Sequence, residues 1–157
     1  MQIRVVDFEI LTRNFTKYQE GIQKIENHKQ KFLEQVEPYR KEMENILMMS
    51  QSGIIIDQMT QKQRAEKFQK MQQEVMDLDN DFKVELQKLK SKLSSESYSY
   101  LESYITEWSV KNDIDIVLGT AEVVFSKPEL DITNQILDVL KSKGLYSEYV
   151  EESETNI

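Results

Sequence analysis

The fold is decided by residues 15–46, FTKYQEGIQKIENHKQKFLEQVEPYRKEMENI. Apolar residues recur there in alternating steps of three and four, with one polar interruption at Lys29: Phe15, Tyr18, Ile22, Ile25, Phe32, Val36, Tyr39, Met43 and Ile46. This heptad spacing predicts a long helix with one apolar stripe, which needs a partner helix along its length. Gly21 and Pro38 are its weak points. Pro38 is predicted to kink the helix or end a segment, because proline has no amide N–H.

A second apolar stripe supplies the partner helix. Its members are Phe68, Met71, Val75, Leu78, Phe82, Leu86, Leu89, Leu93, Tyr100, Tyr104 and Trp108, and the helix is expected to end near Asn112. Two such stripes of similar length can bury each other when the chain turns back on itself. Residues 11–112 are therefore predicted to form an antiparallel helical hairpin, an arm whose tip lies near residues 50–59.

The turn between the two helices also has sequence signals. Gly53 suits the left-handed residue that follows a helix, with Ile54 as its apolar contact. The second helix is predicted to start at a capping box that begins at Thr60, with Asp57 as the alternative cap.

Short strands flank the arm. Residues 2–8 and 113–118 are rich in β-branched residues and predict two strands, and residues 121–125 predict a third after a turn at Gly119. A helix is expected to start at Ser126 and to end at Gly144. The predicted organisation is thus a body strand in residues 1–10, the arm in 11–112, body strands and a helix in 113–144, and a solvated acidic tail in 145–157.

This order predicts an α+β fold, mostly α, in which the small β body is incomplete in one chain. Three short strands leave two open sheet edges, and one amphipathic helix does not cover both faces. Self-association is the simplest way to complete such a sheet. The residues expected to build this oligomeric body are Ile3, Val5, Ile114, Ile116, Val117, Val123 and Phe125.

Composition removes most kinds of chemistry. The 157 residues include no cysteine and a single histidine, His28, so thiol catalysis, a His-paired nucleophile and a multi-histidine metal site are not expected. His28 is expected to be a surface residue. Four glycines and two prolines leave no phosphate-cradling loop. The sequence predicts no enzyme activity, no catalytic residue, no metal site and no cofactor.

Charge divides the chain into two regions. Residues 12–112 carry 16 Lys/Arg and 16 Asp/Glu, whereas the remaining residues carry 4 and 12, so the whole net charge of −8 lies outside the arm. A net acidic chain is not expected to bind nucleic acid, because such binders present a basic face to the phosphates.

The body motifs resemble those of the Skp/OmpH family of trimeric periplasmic holdase chaperones. The matching residues are Asp113-Ile114-Asp115-Ile116-Val117-Leu118, Ala121-Glu122-Val123-Val124-Phe125, Asp131-Ile132-Thr133 with Ile136-Leu137, and the opening Ile3-Arg4-Val5-Val6-Asp7. The resemblance covers about 140 residues in the right order. It implies a homotrimer in which a β body carries three pairs of helical tentacles around a cavity that holds unfolded membrane proteins, without nucleotide or catalytic residues.

Two departures from the family pattern matter. The family's tentacles are usually cationic, whereas these arms are net neutral, which argues against a lipopolysaccharide site. The printed sequence enters its first strand at once, without a basic segment followed by an apolar run, so either a leader has been removed or Met1 is the native start. The resemblance places the protein in the periplasm, and a native start at Met1 would place it in the cytoplasm, as for a phage-encoded assembly chaperone.

The predicted client contacts lie at the arm tip, where little core is available: Met48, Met49, Ile54, Ile55, Ile56 and Met59. Methionine adapts its shape to varied partners, and an exposed apolar tip would otherwise be a liability. The aromatic row Tyr98, Tyr100, Tyr104 and Trp108 is expected to pack where the arm enters the body.

Two other kinds of protein remain as alternatives to a holdase. A structural or scaffolding coiled-coil assembly protein would bind one specific partner and leave unrelated unfolded proteins unaffected. A prefoldin-like subunit would carry its strands between the two long helices, whereas here they flank the hairpin.

Overall fold

The computed structural model describes residues 1–54 and 56–151. The chain forms strand β1 (Ile3–Val6), helices α1 (Phe8–Arg13), α2 (Thr16–Gln51) and α3 (Gln58–Lys111), strand β2 (Ile116–Gly119) and helix α4 (Thr133–Ser142). Short 3₁₀ turns lie at Thr120–Glu122 and Pro128–Leu130. The α+β, mostly α fold class and the long helix pair are confirmed. The chain divides into two compact units, which are described separately: a body unit of residues 1–23 with the chain from Ser91 onward, and an arm unit of residues 24–90.

The sheet of the body unit has two strands in the described part of the chain. β1 and β2 run parallel, in register from Ile3 opposite Ile116 to Val6 opposite Gly119. On the other side of β1, the described residues supply a single bridge, between Val5 and Asp131.

The third strand predicted at residues 121–125 is wrong for the single chain. A 3₁₀ turn occupies Thr120–Glu122, and the side chains of Val124 and Phe125 point into solvent, with Phe125 79% exposed. β-branched residues give this segment strand propensity, but propensity supplies no pairing partner. As a result, the outer edge of β2 pairs with no residue that the structure describes.

The core of the body unit is an apolar cluster from β1, α1, α3, α4 and the segments just before α2 and α4, and it contains Val6, Leu11, Phe15, Leu101, Ile105, Ile132, Ile136 and Leu140. Tyr104 and Trp108 pack against this cluster, and the Tyr104 ring meets the Phe15 ring edge-on with centroids 6.4 Å apart. Tyr98 instead stacks on Phe8 at 5.0 Å. Most of the aromatic row is thus a packing feature, as expected for large rings beside a core.

The helix expected from residue 11 is broken near its start. Asn14 lies between α1 and α2 and is buried. Its side-chain amide donates to the Ile10 carbonyl at 2.8 Å, and its side-chain oxygen accepts from the Tyr149 amide at 2.8 Å. The Ser147 amide donates to the Asn14 carbonyl at 3.0 Å, and the Thr16 amide donates to the Leu145 carbonyl at 2.9 Å.

The start of the expected solvated tail is therefore bound to the body unit. The bonds to Asn14 and Thr16 occupy backbone groups that the helix break leaves without intrahelical partners. Residues 152–157, which include the expected tail charges Glu152 and Glu154, lie outside the described residues.

Gly21, expected as a weak point, is a close-packed position. A Cβ at Gly21 would overlap the Leu93 Cδ1 atom. Ile22, which the heptad placed on the stripe, is 45% exposed. Between Tyr18 and the buried Ile25, Gly21 is the residue that faces α3. Because it has no side chain, it lets α2 and α3 approach closely within the body unit.

The last helix starts seven residues later than predicted. The Ile132 amide donates to the Val5 carbonyl of β1 at 2.9 Å, so residues before Thr133 are held by the sheet and do not form a helix. The Asp131 carboxylate accepts the Thr133 amide at 2.8 Å at the start of α4. Gly144, with φ of 68°, follows the end of α4 as predicted.

The arm unit is a pair of helices packed along the predicted stripes. Phe32 and Phe82 stack with ring centroids 4.2 Å apart, and Lys67 reaches from α3 to Glu42 on α2 at 2.6 Å. A later residue of α2 thus contacts an earlier residue of α3, which confirms that the two helices are antiparallel. Pro38 lies inside α2 and does not end it.

His28 is half-buried in the arm, contrary to the surface position expected from the sequence. Its ring stacks on Phe82 with centroids 5.4 Å apart, and its Nε2 lies 3.6 Å from the Glu85 carboxylate without a hydrogen bond. The heptad spacing placed the stripe position at Lys29, a polar residue. In the structure the neighbouring His28 continues the stripe, so its packing was not predicted.

Candidate functional site

The arm tip is built by the end of α2 and the start of α3. Gly53 adopts φ of 72° after the last turn of α2, as its sequence position predicted. The Asp57 carboxylate accepts the Thr60 amide at 2.9 Å and the Thr60 hydroxyl at 2.8 Å. Asp57, the alternative cap, is therefore the one used, and these bonds from Thr60 hold the pKa of the Asp57 carboxyl below its usual range.

The tip presents the predicted apolar side chains to solvent. Met48, Met49 and Met59 are all exposed. Ile54 is 72% exposed, so the predicted apolar contact that would close the end of α2 is wrong for this residue. Ile56 is half-buried, and Ile55 lies outside the described residues. Exposed apolar side chains this closely spaced are typical of surfaces that bind other molecules.

An open groove of about 500 Å³ lies between the two helices at this end of the arm unit, and we call it the tip groove. Its apolar lining comes from Ile46, Leu47, Met49, Ile54, Ile56, Ala65 and Phe68. Its polar lining comes from Ser50, Gln61, Arg64, Gln69 and Gln72. Met49, Ile54 and Ile56 of this lining were predicted from the sequence, whereas Leu47 and the polar side of the groove were not. Gln61, Gln69 and Gln72 recur with the helical period on one face of α3, and this spacing could have predicted the polar side of the groove.

The predicted body residues do not form one surface. Val5 is 3% exposed and packs inside the single chain, so it is not part of any surface that a second copy can reach. Ile3, Ile114, Val117 and Val123 are half-buried. Ile116 and Phe125 are exposed, and so are Leu118 and Val124, which the sequence analysis had not selected. Alternation along β2 places Ile116 and Leu118 on one face of that strand.

A second groove, of about 730 Å³, lies in the body unit beside β2. Its walls include the stacked Phe8 and Tyr98 rings and the exposed side of β2. The lining also contains five carboxylates, from Asp7, Glu9, Glu102, Asp115 and Glu122, and no lysine or arginine. The buried Ser109 hydroxyl, which also lines it, has no hydrogen-bond partner.

Within residues 1–54 and 56–151, no group of three or more His, Cys, Asp or Glu side chains could hold a metal ion. No helix in the same described ranges is both long and apolar enough to cross a bilayer. The chemistry the two grooves offer is binding, through apolar contact and a few polar groups.

The chain is similar to a known protein family over most of its length. A family model described as "Outer membrane protein (OmpH-like)" matches residues 2–140. The match includes both units and stops before the segment that binds Asn14. No curated protein matches the chain.

Proposed function

The chain belongs to the OmpH-like outer membrane protein family, whose members have a chaperone-type role, and on this basis we propose that it is an ATP-independent holdase. Three copies assemble through their body units, and unfolded proteins of the outer-membrane type are held between the helical arms. The family is periplasmic, and we propose that compartment for this chain. The family is also generally non-enzymatic.

The observation that carries the proposal is the cluster of exposed apolar side chains at the tip of the helix pair. Met48, Met59 and Ile54 have no core to enter, whereas Ile46 and Met71 are buried between the helices. A flexible methionine adapts to many apolar partners, as a chaperone without a fixed client requires. Several weak contacts from different copies add up when all act on one client.

Assembly through the body is supported by the unpaired edge of β2 and by the exposed Val124 and Phe125. An open edge beside exposed apolar side chains invites a strand from another chain. Because residues 121–125 have strand propensity and pair with none of the residues that the structure describes, we propose a second copy of the chain as their partner.

The proposal is tested on the purified chain by light scattering and by an aggregation assay with an unfolded outer-membrane protein, without nucleotide. We expect a mass three times the 18.6 kDa of the chain and suppression of client aggregation near equimolar trimer. A folded globular protein at the same concentration serves as the control and should not suppress aggregation. A monomeric mass would overturn the trimer, and unchanged client aggregation would overturn the holdase role. Suppression limited to one folded partner would indicate a scaffolding protein.

A further inference from the structure

The tip groove contains one charged side chain without a partner. Residues 37–67 contain ten charged side chains, and the ion pairs Arg40–Glu37, Arg40–Glu44, Lys41–Glu37, Lys67–Glu42 and Lys62–Glu66 account for eight of them. Asp57 is occupied as the cap of α3. Arg64 alone pairs with none of the residues that the structure describes, and it lines the groove.

Among the other polar side chains of the groove, the Ser50 hydroxyl donates to the Ile46 carbonyl at 2.9 Å, whereas the three glutamines have no partner among the described residues. The side-chain amides of Gln61, Gln69 and Gln72 make no hydrogen bond within the described ranges, and each offers both a donor and an acceptor. The backbone of an unfolded segment carries donors and acceptors that need such partners. The half-buried Phe68 lies in the apolar lining of the groove, which offers a contact surface for an apolar side chain.

From this arrangement we propose that the tip groove binds an extended segment that carries an apolar side chain beside a carboxylate. The apolar side chain enters the groove next to Phe68, and Arg64 holds the carboxylate. Arginine suits this task because its planar guanidinium pairs with a carboxylate through two parallel hydrogen bonds. The groove lining contains no carboxylate that would compete for Arg64 or attract a basic segment instead.

This inference names the class of segment bound by the proposed holdase, so it rests on the proposed function for the identity of its partner. It makes a specific prediction that a purely apolar contact surface does not make: the tip distinguishes acidic from neutral segments of equal hydrophobicity. The preference should weaken at high salt, because the pair lies near solvent.

The test uses the full chain and fluorescence anisotropy of two labelled Ser/Gly peptides, one carrying Phe and Asp and the other carrying Phe and Asn. We expect the Asp peptide to bind about three- to tenfold more tightly, as one charge-assisted contact provides. Arg64→Gln should remove this ratio and leave the Asn peptide unaffected. Lys62→Gln removes the same charge two residues away, outside the groove lining, and should keep the ratio.

Three outcomes overturn the inference: equal binding of the two peptides, an unchanged ratio in Arg64→Gln, or equal loss in Lys62→Gln. A lower mass of Arg64→Gln in light scattering would show instead that a second copy occupies the groove. Client aggregation measured alongside separates the two proposals. Suppression of client aggregation without selectivity for the Asp peptide leaves the holdase role intact and removes this inference. Selectivity for the Asp peptide without suppression of aggregation keeps this inference and overturns the holdase role.

Discussion

Gly21 lies inside α2 and faces the Leu93 side chain of α3. A glycine inside a helix normally costs about 1 kcal/mol relative to alanine, so a helix-propensity argument favours Gly21→Ala. In the body unit, however, the added Cβ would overlap the end of the Leu93 side chain. Overpacking of this kind costs about 1–3 kcal/mol, which equals or exceeds the gain.

We therefore expect Gly21→Ala to lower the free energy of unfolding by up to about 2 kcal/mol, measured by chemical denaturation. The control is the same substitution in a Leu93→Ala background, where the obstructing side chain is gone. There Gly21→Ala should raise stability by about 1 kcal/mol, since only helix propensity remains. The same sign in both backgrounds would show that Leu93 does not constrain this position.

At the scale of the element, the stacked rings of the arm unit test whether α2 and α3 depend on one another. The Phe82 ring of α3 stacks on two rings of α2, that of Phe32 and that of His28, which lies one turn earlier in α2. Phe82→Ala removes both contacts and should destabilise the arm unit by about 2 kcal/mol, less than for a fully buried ring because Phe82 is half-buried. Hydrogen exchange of α2 amides around Phe32 measures the effect.

Val84→Ala, on the same helix but at an exposed site, is the matched control for Phe82→Ala. It should change protection by less than about 0.5 kcal/mol. If α2 amides keep full protection when Phe82 is truncated, the two helices do not stabilise each other through this stack.

The start of α3 should depend on pH through Asp57. Because hydrogen bonds from Thr60 lower the pKa of the folded-state carboxyl, the charged cap stabilises the helix start above the unfolded pKa. That contribution is lost as the pH falls through the lowered folded value. We expect protection of the Thr60 amide in the wild type to fall relative to Asp57→Asn as the pH is lowered from above the ordinary carboxyl pKa through the lowered folded pKa, because Asn caps a helix without titrating.

Asp79→Asn is the control for this effect, since Asp79 lies within α3 and pairs with Lys83. It should leave the pH dependence of the Thr60 amide unchanged. A Thr60 amide whose protection follows the same pH course with Asp or Asn at position 57 would contradict the capping role.

The sequence predicted the elements better than their starts and partners. Heptad spacing identified both long helices, because one buried stripe imposes a periodic pattern that is visible locally. It misplaced Ile22 and His28, where the facing helix decides which of two neighbouring residues is buried. Asn14 was missed because its role depends on a segment more than 130 residues away along the chain. The polar side of the tip groove was missed for a related reason: the free state of Arg64 is visible only once the other charges are paired.

For the whole molecule, the segment 121–125 is the clearest case of a prediction that a single chain does not satisfy. Its β-branched residues favour a strand, yet no ladder within the described residues includes it. Local propensity reports how a segment would pair and does not report whether its partner lies in the same chain. The proposed assembly supplies that partner, so substitutions in this segment should abolish assembly and client caging together.

We expect Val124→Lys with Phe125→Lys to convert the proposed trimer to monomer, because two charges would have to be buried at an apolar interface. Sedimentation velocity measures the mass, and circular dichroism should stay unchanged, since both side chains are exposed in the single chain. Val110→Lys, an equally exposed apolar site on α3, is the control and should remain trimeric. The monomeric variant should also lose most suppression of client aggregation although its arm tip is intact, because contacts from separate copies no longer act on one client. A double-lysine variant that keeps the wild-type mass would place the assembly surface elsewhere on the body, and a monomer that still protects clients would show that one arm suffices.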